Sequence, residues 1–385
     1  MDFSLTDEQR MFHDSVTRFA QTELAPGAAE RARAHAYPWD VARRMADMGL
    51  MGIALPEADG GMGGTLVDAI IAIQAVAEAC PRSADVIQAG NFGPVRTFAE
   101  FATPDQKTRY LGPILRGEAV ISLGMTEPEA GSAVTELQTS ATKDGEDYLV
   151  NGTKIFGTHS AEAEVFLVYL RFGPGLDGIG SVLIEKGTPG FTIGQPSGFM
   201  NGEDWAQLYF DNVRVPAANV LLGAGGFRKQ IAGFNVERLG NAARAVAVGR
   251  HAFNLARDHA AGRRQFGRPL AEFQGIQWKF ADMAVRLESA QLMLMRAAVN
   301  AGDGLPSAQD TALAKLACNE AGYFAANEAV QILGGLGFSE DSTAQYALRR
   351  TRGWMIAGGS IEILKNRIAE GIFGRSFSQR PPKGA

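Results

Sequence analysis

The hydrophobic period of this chain changes twice along its 385 residues, and those two changes restrict the fold more than any other feature. From Thr6 to about Gly117 apolar side chains recur at helical spacing. From about 118 to 222 they come in short β-branched and aromatic runs punctuated by Gly, Pro, Asn and Asp. Helical spacing returns after Gly225-Gly226 and holds to Phe373. Segregated blocks of this kind give an α+β chain: an N-terminal α-helical domain (1–117), a small middle β domain (118–222) and a C-terminal α-helical domain (223–385). The length also suits two or three domains, since it exceeds what one ordinary core holds.

Local signals place the elements. Thr6-Asp7-Glu8-Gln9 has the form of a capping box ahead of Phe12, Val16 and Phe19, so a helix begins the protein. Tyr37-Pro38-Trp39-Asp40 opens a second helix that stops at Gly49. After the Gly60-Gly61-Met62-Gly63-Gly64 loop an apolar helix runs from about Leu66 to Cys80, and helical signals continue through Phe101. Thr103-Pro104-Asp105-Gln106 repeats the capping logic, with Pro where its missing N–H costs nothing. Val120 to Leu123, Tyr148 to Val150, Lys154 to Phe156, Val165 to Leu170, Ser181 to Ile184, Phe191 to Ile193 and Gln207 to Phe210 read as strands. Asn151-Gly152 reads as a hairpin turn between two of them. Further on, Gly267-Arg268-Pro269, Gly302-Asp303-Gly304 and Gly334-Gly335-Leu336-Gly337 separate long helices, and Ser376 to Ala385 read as a frayed tail.

Composition excludes several classes of function. A formal net charge of -5, with basic residues scattered among acidic ones, provides no field for nucleic acid. Met1-Asp2-Phe3-Ser4 has no basic segment followed by an apolar one, and the longest apolar stretches are broken by charge or Gln well short of a bilayer span. The expectation is a cytoplasmic protein without membrane association. Cys80 and Cys318 match neither a disulfide framework nor a metal spacing and read as small buried hydrophobes; the five histidines make no zinc signature, so no metal is expected.

One helical stretch carries possible chemistry. In Phe234-Asn235-Val236-Glu237-Arg238-Leu239 a carboxylate and a guanidinium stand side by side, with Ile231, Phe234, Leu239, Val246 and Val248 on or near an apolar stripe. A carboxylate facing inward there has its charge disfavoured by desolvation and its basicity raised, as a base for a carbon-bound proton requires. Taken alone, the stretch is better described as solvated helix-surface charges.

A second stretch, weak by itself, gains weight from its place in the chain. Met125-Thr126-Glu127-Pro128-Glu129-Ala130-Gly131-Ser132 follows a strand and packs a hydroxyl, a Pro and a Gly into a tight turn, although most such turns merely turn. With the order of helices, strands and helices, it resembles the T-E-P-x-A-G-S turn of the acyl-CoA dehydrogenase family, and the resemblance runs through essentially the whole chain. The resemblance implies a middle β-barrel domain, a C-terminal four-helix bundle, FAD as cofactor and an acyl-CoA substrate. It places Met125 and Thr126 against the flavin and Ser132 near the CoA thioester; Ala133 stands where Asp is usual. Lys154-Ile155-Phe156-Gly157-Thr158 is similar to the flavin-flanking K-x-W-I-T strand, with Phe156 keeping the ring contact but not the indole N–H, and Thr158 beside it. Asp211 to Pro216 matches the D-x-V-x-V-P run that closes the β domain.

Two further motifs look like FAD contacts reached from a neighbouring subunit or from the adenosine end. Arg263-Arg264-Gln265-Phe266-Gly267 followed by Gln274 resembles R-x-x-F-G...Q, which implies roles for Arg263, Phe266 and Gln274, a guanidinium being suited to a pyrophosphate. Gln331-Ile332-Leu333-Gly334-Gly335-Leu336-Gly337 resembles Q-I-L-G-G-x-G, which implies Gln331 and Gly335. Alone these are a helix end and a Gly-rich terminus; in order with the other motifs they carry the resemblance.

The chain departs from the common pattern at the catalytic loop. Where many members read I-Y-E-G-T, this chain reads Ile356-Ala357-Gly358-Gly359-Ser360-Ile361-Glu362. The expected Glu is Gly358, and some members place the acid on the helix instead, at the position of Glu237. The resemblance therefore implies Glu237 as base, with the backbone N–H of Gly358 and a ribityl hydroxyl of FAD holding the thioester oxygen. It further implies Ser360 and Glu362 at FAD, and Phe234, Asn235 and Arg238 along the CoA chain. Ala357 replaces a usual Tyr and widens the cavity, and the acyl specificity is expected among Asp85 to Phe92 and Ala357. His159 reads as a surface or supporting residue. Arg82, Arg350 and Arg352 are possible anchors for an acidic acyl group, and Arg350 stands where Asp is frequent, implying a lost ion pair.

The expected reaction is α,β-dehydrogenation, Glu237 taking the α-proton as the β-hydride passes to flavin N5. The expected partners are an electron-transfer flavoprotein as acceptor and further copies of the chain in a homo-oligomer, a homotetramer or dimer. An enoyl-CoA reductase, a desulfinase-like member and a non-catalytic flavoprotein stay open.

Overall fold

Three helices of the N-terminal block start on reciprocal caps that the local sequence dictates. Thr6, Thr65 and Thr103 each accept the N–H three residues on, and the side chains of Gln9, Asp68 and Gln106 accept the cap N–H in return. A computed structural model describes residues 4–379 of the chain. The reading of Met1 to Phe3 and that of residues 380–385 of the tail lie outside the described residues; Ser376 to Gln379 carry no regular structure. The helices are α1 (Asp7–Phe19), α2 (Ala28–Arg33), α3 (Trp39–Asp47), α4 (Leu66–Ala79), α5 (Ala84–Asn91), α6 (Pro94–Phe101) and α7 (Pro104–Leu115). Two pieces were not legible in advance: the short α2, and a π-helical stretch at Ala20–Leu24 that prolongs α1.

The middle block forms β1 (Ile121–Gly124), β2 (Ser140–Asp144), β3 (Asp147–Lys154), β4 (Val165–Arg171), β5 (Ile179–Glu185), β6 (Phe191–Ile193), β7 (Ser197–Gly198), β8 (Asp204–Trp205), β9 (Leu208–Val215) and β10 (Val220–Leu222). Eight of them make one mixed sheet in the order β10-β5-β4-β2-β3-β9-β6, with β1 parallel beside β4; β7 and β8 pair separately.

The expected Asn151-Gly152 hairpin is corrected. Both residues lie inside β3, where Asn151 pairs with Ser140 of β2. The turn is Gly145-Glu146, between the paired Asp144 and Asp147, with Gly145 at φ +62. Gly152 is needed for another reason: its φ is +143 and a Cβ there would stand 2.5 Å from Thr139 Oγ1, so it marks a register shift against β9. The expected strand Lys154 to Phe156 is corrected too, because β3 ends at Lys154 and Phe156 turns out of it at φ +58.

After Gly226 come α8 (Phe227–Gly262), a short hairpin of β11 (Arg264–Gln265) and β12 (Arg268–Pro269), α9 (Gln274–Ala301), α10 (Ala308–Leu333), α11 (Gly335–Phe338), α12 (Thr343–Trp354) and α13 (Ile361–Phe373). α8 packs on α10, α9, α12 and, across the chain, α4. That position buries Leu239, Ala242, Ala243, Ala245, Val246 and Val248 around its whole circumference. Any polar residue on this part of α8 is therefore inside the protein, and needs a partner. Cys80 and Cys318 are both buried and unpaired, as small hydrophobes.

Candidate active site

The turn after β1 and the end of β3 are held together by a buried ion pair. Lys154 is 1% exposed, and its Nζ lies 2.7 Å from Glu127 Oε1 and 3.0 Å from the carbonyl of Met125. Burial opposes the charge of Glu127, but the Lys154 ammonium and the N–H groups of Gln138 (2.5 Å) and Thr139 (2.9 Å) more than offset it and hold the carboxyl below its ordinary range. Burial pushes Lys154 down to about 8. Ile155 donates to Thr126 O (2.9 Å), and Ser122 Oγ donates to Thr158 O (2.8 Å). Met125, Thr126, Phe156 and Thr158 are thereby brought together. Nothing in the residue order showed that the Glu of the turn and the Lys of the strand are its fastening; opposite charges within two motifs were the available signal.

Phe156 is 51% exposed although it packs on Trp205 (4.5 Å) and Phe199 (6.1 Å). A positive-φ aromatic displayed on an aromatic base is a surface suited to a flat ring. Ser132 lies exposed on the same turn.

The base candidate faces inward. Glu237 is half-buried on α8, and desolvation raises its pKa against the pull of Arg244, Gln88, Lys315 and Arg350. Phe234, Asn235 and Arg238 beside it are buried, so these are not solvated surface charges. Arg238 donates from Nε to Gly358 O (3.0 Å) and from Nη1 to Asn235 Oδ1 (3.0 Å), with its guanidinium over the Phe234 ring. Burial lowers it to about 10.

The loop between α12 and α13 is fastened through its carbonyls. Lys315, fully buried on α10, donates to Trp354 O (3.0 Å) and Gly359 O (3.1 Å), and Asn319 donates to Trp354 O (2.6 Å). Burial brings Lys315 down to about 7. Gly358 has φ +72, and a Cβ there would stand 2.8 Å from Asn241 Nδ2. Among the described residues none accepts the Gly358 N–H. Ser360 caps α13 through Ile363 N–H (3.4 Å), with Glu362 exposed in its first turn and Ala357 exposed before it.

Behind Glu237 lies a charged cluster the sequence did not reveal. Asp85 takes Arg350 Nη2 (2.7 Å), Arg82 Nη1 (3.4 Å) and Arg244 Nη1, and Glu203 takes Arg82 Nη1 (2.8 Å) and Arg350 Nη1. All five are buried. Burial opposes the charge on Glu203, and Arg350 and Arg82 more than offset it, holding that carboxyl well below its usual range. Two readings are corrected here. Arg350 has not lost an ion pair, since it has two; and Arg82 and Arg350 are engaged by carboxylates of the chain itself rather than held free for a substrate. Asp85, expected as a cavity residue, is the hub of this cluster. Arg352 is exposed, and His159 is buried edge-on against Tyr37 rather than at the surface.

The remaining candidates do not join this site within one chain. Arg263, Gln274, Gln331 and Gly335 are exposed on the C-terminal helices, and Phe266, at the tip of the β11–β12 hairpin, is 94% exposed at φ +50. Its ring meets that of Phe273 at 6.3 Å and is otherwise displayed to solvent in a conformation that non-glycine residues rarely adopt. Among the described residues no group of His, Cys, Asp and Glu could hold a metal, and no helix is long and apolar enough to cross a membrane.

The model of the acyl-CoA dehydrogenase N-terminal domain matches residues 6–118, that of the middle domain 122–213 and that of the C-terminal domain 224–373. An acryloyl-CoA reductase (NADH) of Anaerotignum propionicum is 35% identical, over 97% of each chain. A 3-sulfinopropanoyl-CoA desulfinase of Paraburkholderia xenovorans is 34% identical over 98% of this chain and 99% of its own. The structure of butyryl-CoA dehydrogenase from Megasphaera elsdenii superimposes with a TM-score of 0.90 at 31% identity, over 97% of this chain and all (100%) of its own.

Proposed function

This chain belongs to the acyl-CoA dehydrogenase family, and from that premise we propose that it desaturates the Cα–Cβ bond of an acyl-CoA thioester with FAD, using Glu237 as the base. The observation that carries this reading is the environment of Glu237. It is an inward-facing carboxylate made more basic by burial, beside the arginine that holds Gly358.

The chain's residues fit FAD. Met125, Thr126, Phe156 and Thr158 offer an exposed aromatic face on a rigid turn, with Ser360 and Glu362 at the start of α13. Arg263, Phe266, Gln274, Gln331 and Gly335 serve the cofactor of a neighbouring copy, which also covers the exposed Phe266 and makes the protein a homo-oligomer, a tetramer or dimer. Bound there, FAD supplies the acceptor for the β-hydrogen and its electron pair, and an electron-transfer flavoprotein in the cytoplasm receives the electrons.

Glu237 removes the α-hydrogen as a proton. Gly358 donates its N–H to the thioester oxygen, which takes up enolate-like charge; one such donor contributes about 3 kcal/mol. Arg238 and Lys315 hold the carbonyls of Gly358 and Gly359, so the donor is fixed before substrate arrives. Phe234, Asn235 and Arg238 flank the CoA chain, with Ser132 at the thioester end.

The similarity to the reductase favours a second reading, in which the same groups run the addition and Glu237 delivers the α-proton. The experiment is anaerobic mixing with short, branched, aromatic and dicarboxylic CoA thioesters, followed at the flavin absorbance band. Bleaching by a saturated thioester, lost in Glu237→Gln, is expected; a wild-type rate in that variant removes Glu237 from the chemistry. Reoxidation of reduced flavin by enoyl thioesters alone marks a reductase, loss of a β-substituent without bleaching a desulfinase, and bound FAD without any turnover a non-catalytic flavoprotein.

A further inference from the structure

Glu237 does not stand alone on α8. One turn and two turns on, Asn241 and Arg244 share its face, buried at 3% and 5% exposure. Arg244 donates from Nη1 to Asp85 Oδ1 and from Nη2 to Asn241 Oδ1. A guanidinium has no acceptor atom, so the group it meets on Asn241 is the amide oxygen, and the amide NH2 is thereby turned the other way. There it lies 3.5 Å from Glu237 Oε1.

We infer that Asn241 is a positioning residue for the base: the chain Asp85, Arg244, Asn241 orients the amide so that its N–H groups hold and aim the Glu237 carboxylate. This rests on the reading of Glu237 as the base. Asp85 is anchored in turn by Arg350 on α12 and Arg82 ahead of α5, so the far end of the chain has little freedom.

A second observation points to the same residue. The space that a side chain at position 358 would enter is filled by Asn241 Nδ2, 2.8 Å from an ideal Cβ. Real Cβ atoms essentially never come that close, so a side chain at 358 and Asn241 in its present place exclude one another. The glycine in the loop and the amide on the helix are one device: the residue that keeps the loop bare also orients the carboxylate on the helix. The other charged or titratable groups facing Glu237 are Arg244 on its own helix, Lys315 on α10, Arg350 on α12 and Tyr169 on β4. The amide of Gln88 on α5 also lies against Glu237 and donates to its backbone carbonyl (3.4 Å), which leaves Asn241, at 3.5 Å, as the amide aimed at the carboxylate.

The test is Asn241→Leu, which keeps the bulk and removes the donor. A hydrogen bond to the ionised carboxylate favours that form, so its loss moves the lower limb of the pH profile for anaerobic flavin reduction up by about one unit. Below the new limb the reduction rate falls about tenfold, while the substrate concentration giving half-maximal rate stays unchanged. Asn241→Asp, which places a second carboxylate beside the first, shifts the limb further. A wild-type profile and rate in Asn241→Leu, with Glu237→Gln inactive, overturns the positioning role and leaves the base in place. A wild-type rate in Glu237→Gln overturns the base instead. Should Asn241→Leu fail to fold with FAD, Asn241→Ala decides, because it removes the same donor without adding an apolar branch: an upward shift sustains the proposal and an unshifted profile refutes it.

Discussion

Replacing Lys154 by Met is expected to release the cofactor wall from the rest of the middle domain. The methionine keeps the length and apolar stem of the lysine and removes only the ammonium, which stands 2.7 Å from Glu127 and 3.0 Å from Met125 O. Glu127 then keeps the donors of Gln138 and Thr139 but loses its counter-charge while 6% exposed. Breaking a buried pair from one side costs about 3–5 kcal/mol, a large part of the roughly 5–15 kcal/mol that holds a domain folded. Removing both charges, in Lys154→Met with Glu127→Gln, leaves no unpaired ion and is expected to recover most of that loss. The pH dependence has a definite sign. Glu127 is held below its ordinary range when folded, so its contribution is present at neutral pH, above the unfolded value of about 4.3, and is lost as pH falls through the lower folded value. Urea unfolding followed by far-UV circular dichroism, with flavin absorbance reporting retention of FAD, measures both effects. A loss of less than about 1 kcal/mol at pH 7, or a double variant no better than the single one, refutes the fastening role.

Two other outcomes follow from exposure and burial. Burial lowers His159 to about 4, so between the unfolded value of about 6.5 and that limit only the unfolded chain binds the proton, and stability falls as pH drops by about 3 kcal/mol in all. His159→Asn, which tolerates the φ of +60, is expected to flatten that part of the stability profile in paired urea titrations at pH 7 and pH 4.5. Phe266→Asp, at a tip that touches little of its own chain, is expected to leave the circular dichroism spectrum unchanged. Sedimentation and flavin absorbance should nevertheless show dissociated copies and FAD retained on the order of fiftyfold more weakly.

Much of this protein was legible in advance because the signals are local. The caps at Thr6 and Thr103 need only a side chain three residues away, and the change of hydrophobic period needs only neighbours in sequence. Asn151-Gly152 shows where local reading fails. The same dipeptide that favours a two-residue turn was taken into β3, because Gly145 had already turned the chain and Thr139 leaves no room for a side chain at 152. Arg350 failed in the other direction: a residue read as having lost a partner has two, both on segments more than a hundred residues away.

What the sequence by itself determined is the type and order of the elements and, through a set of short motifs, which residues are the candidates for chemistry. Only the tertiary structure decided what those residues experience. The basicity of Glu237, the bare N–H of Gly358 and the orientation of Asn241 depend on groups brought in by α5, α10 and α12. Desolvation and hydrogen-bond direction are properties of a packed surround, and no periodicity along one strand of the chain encodes them.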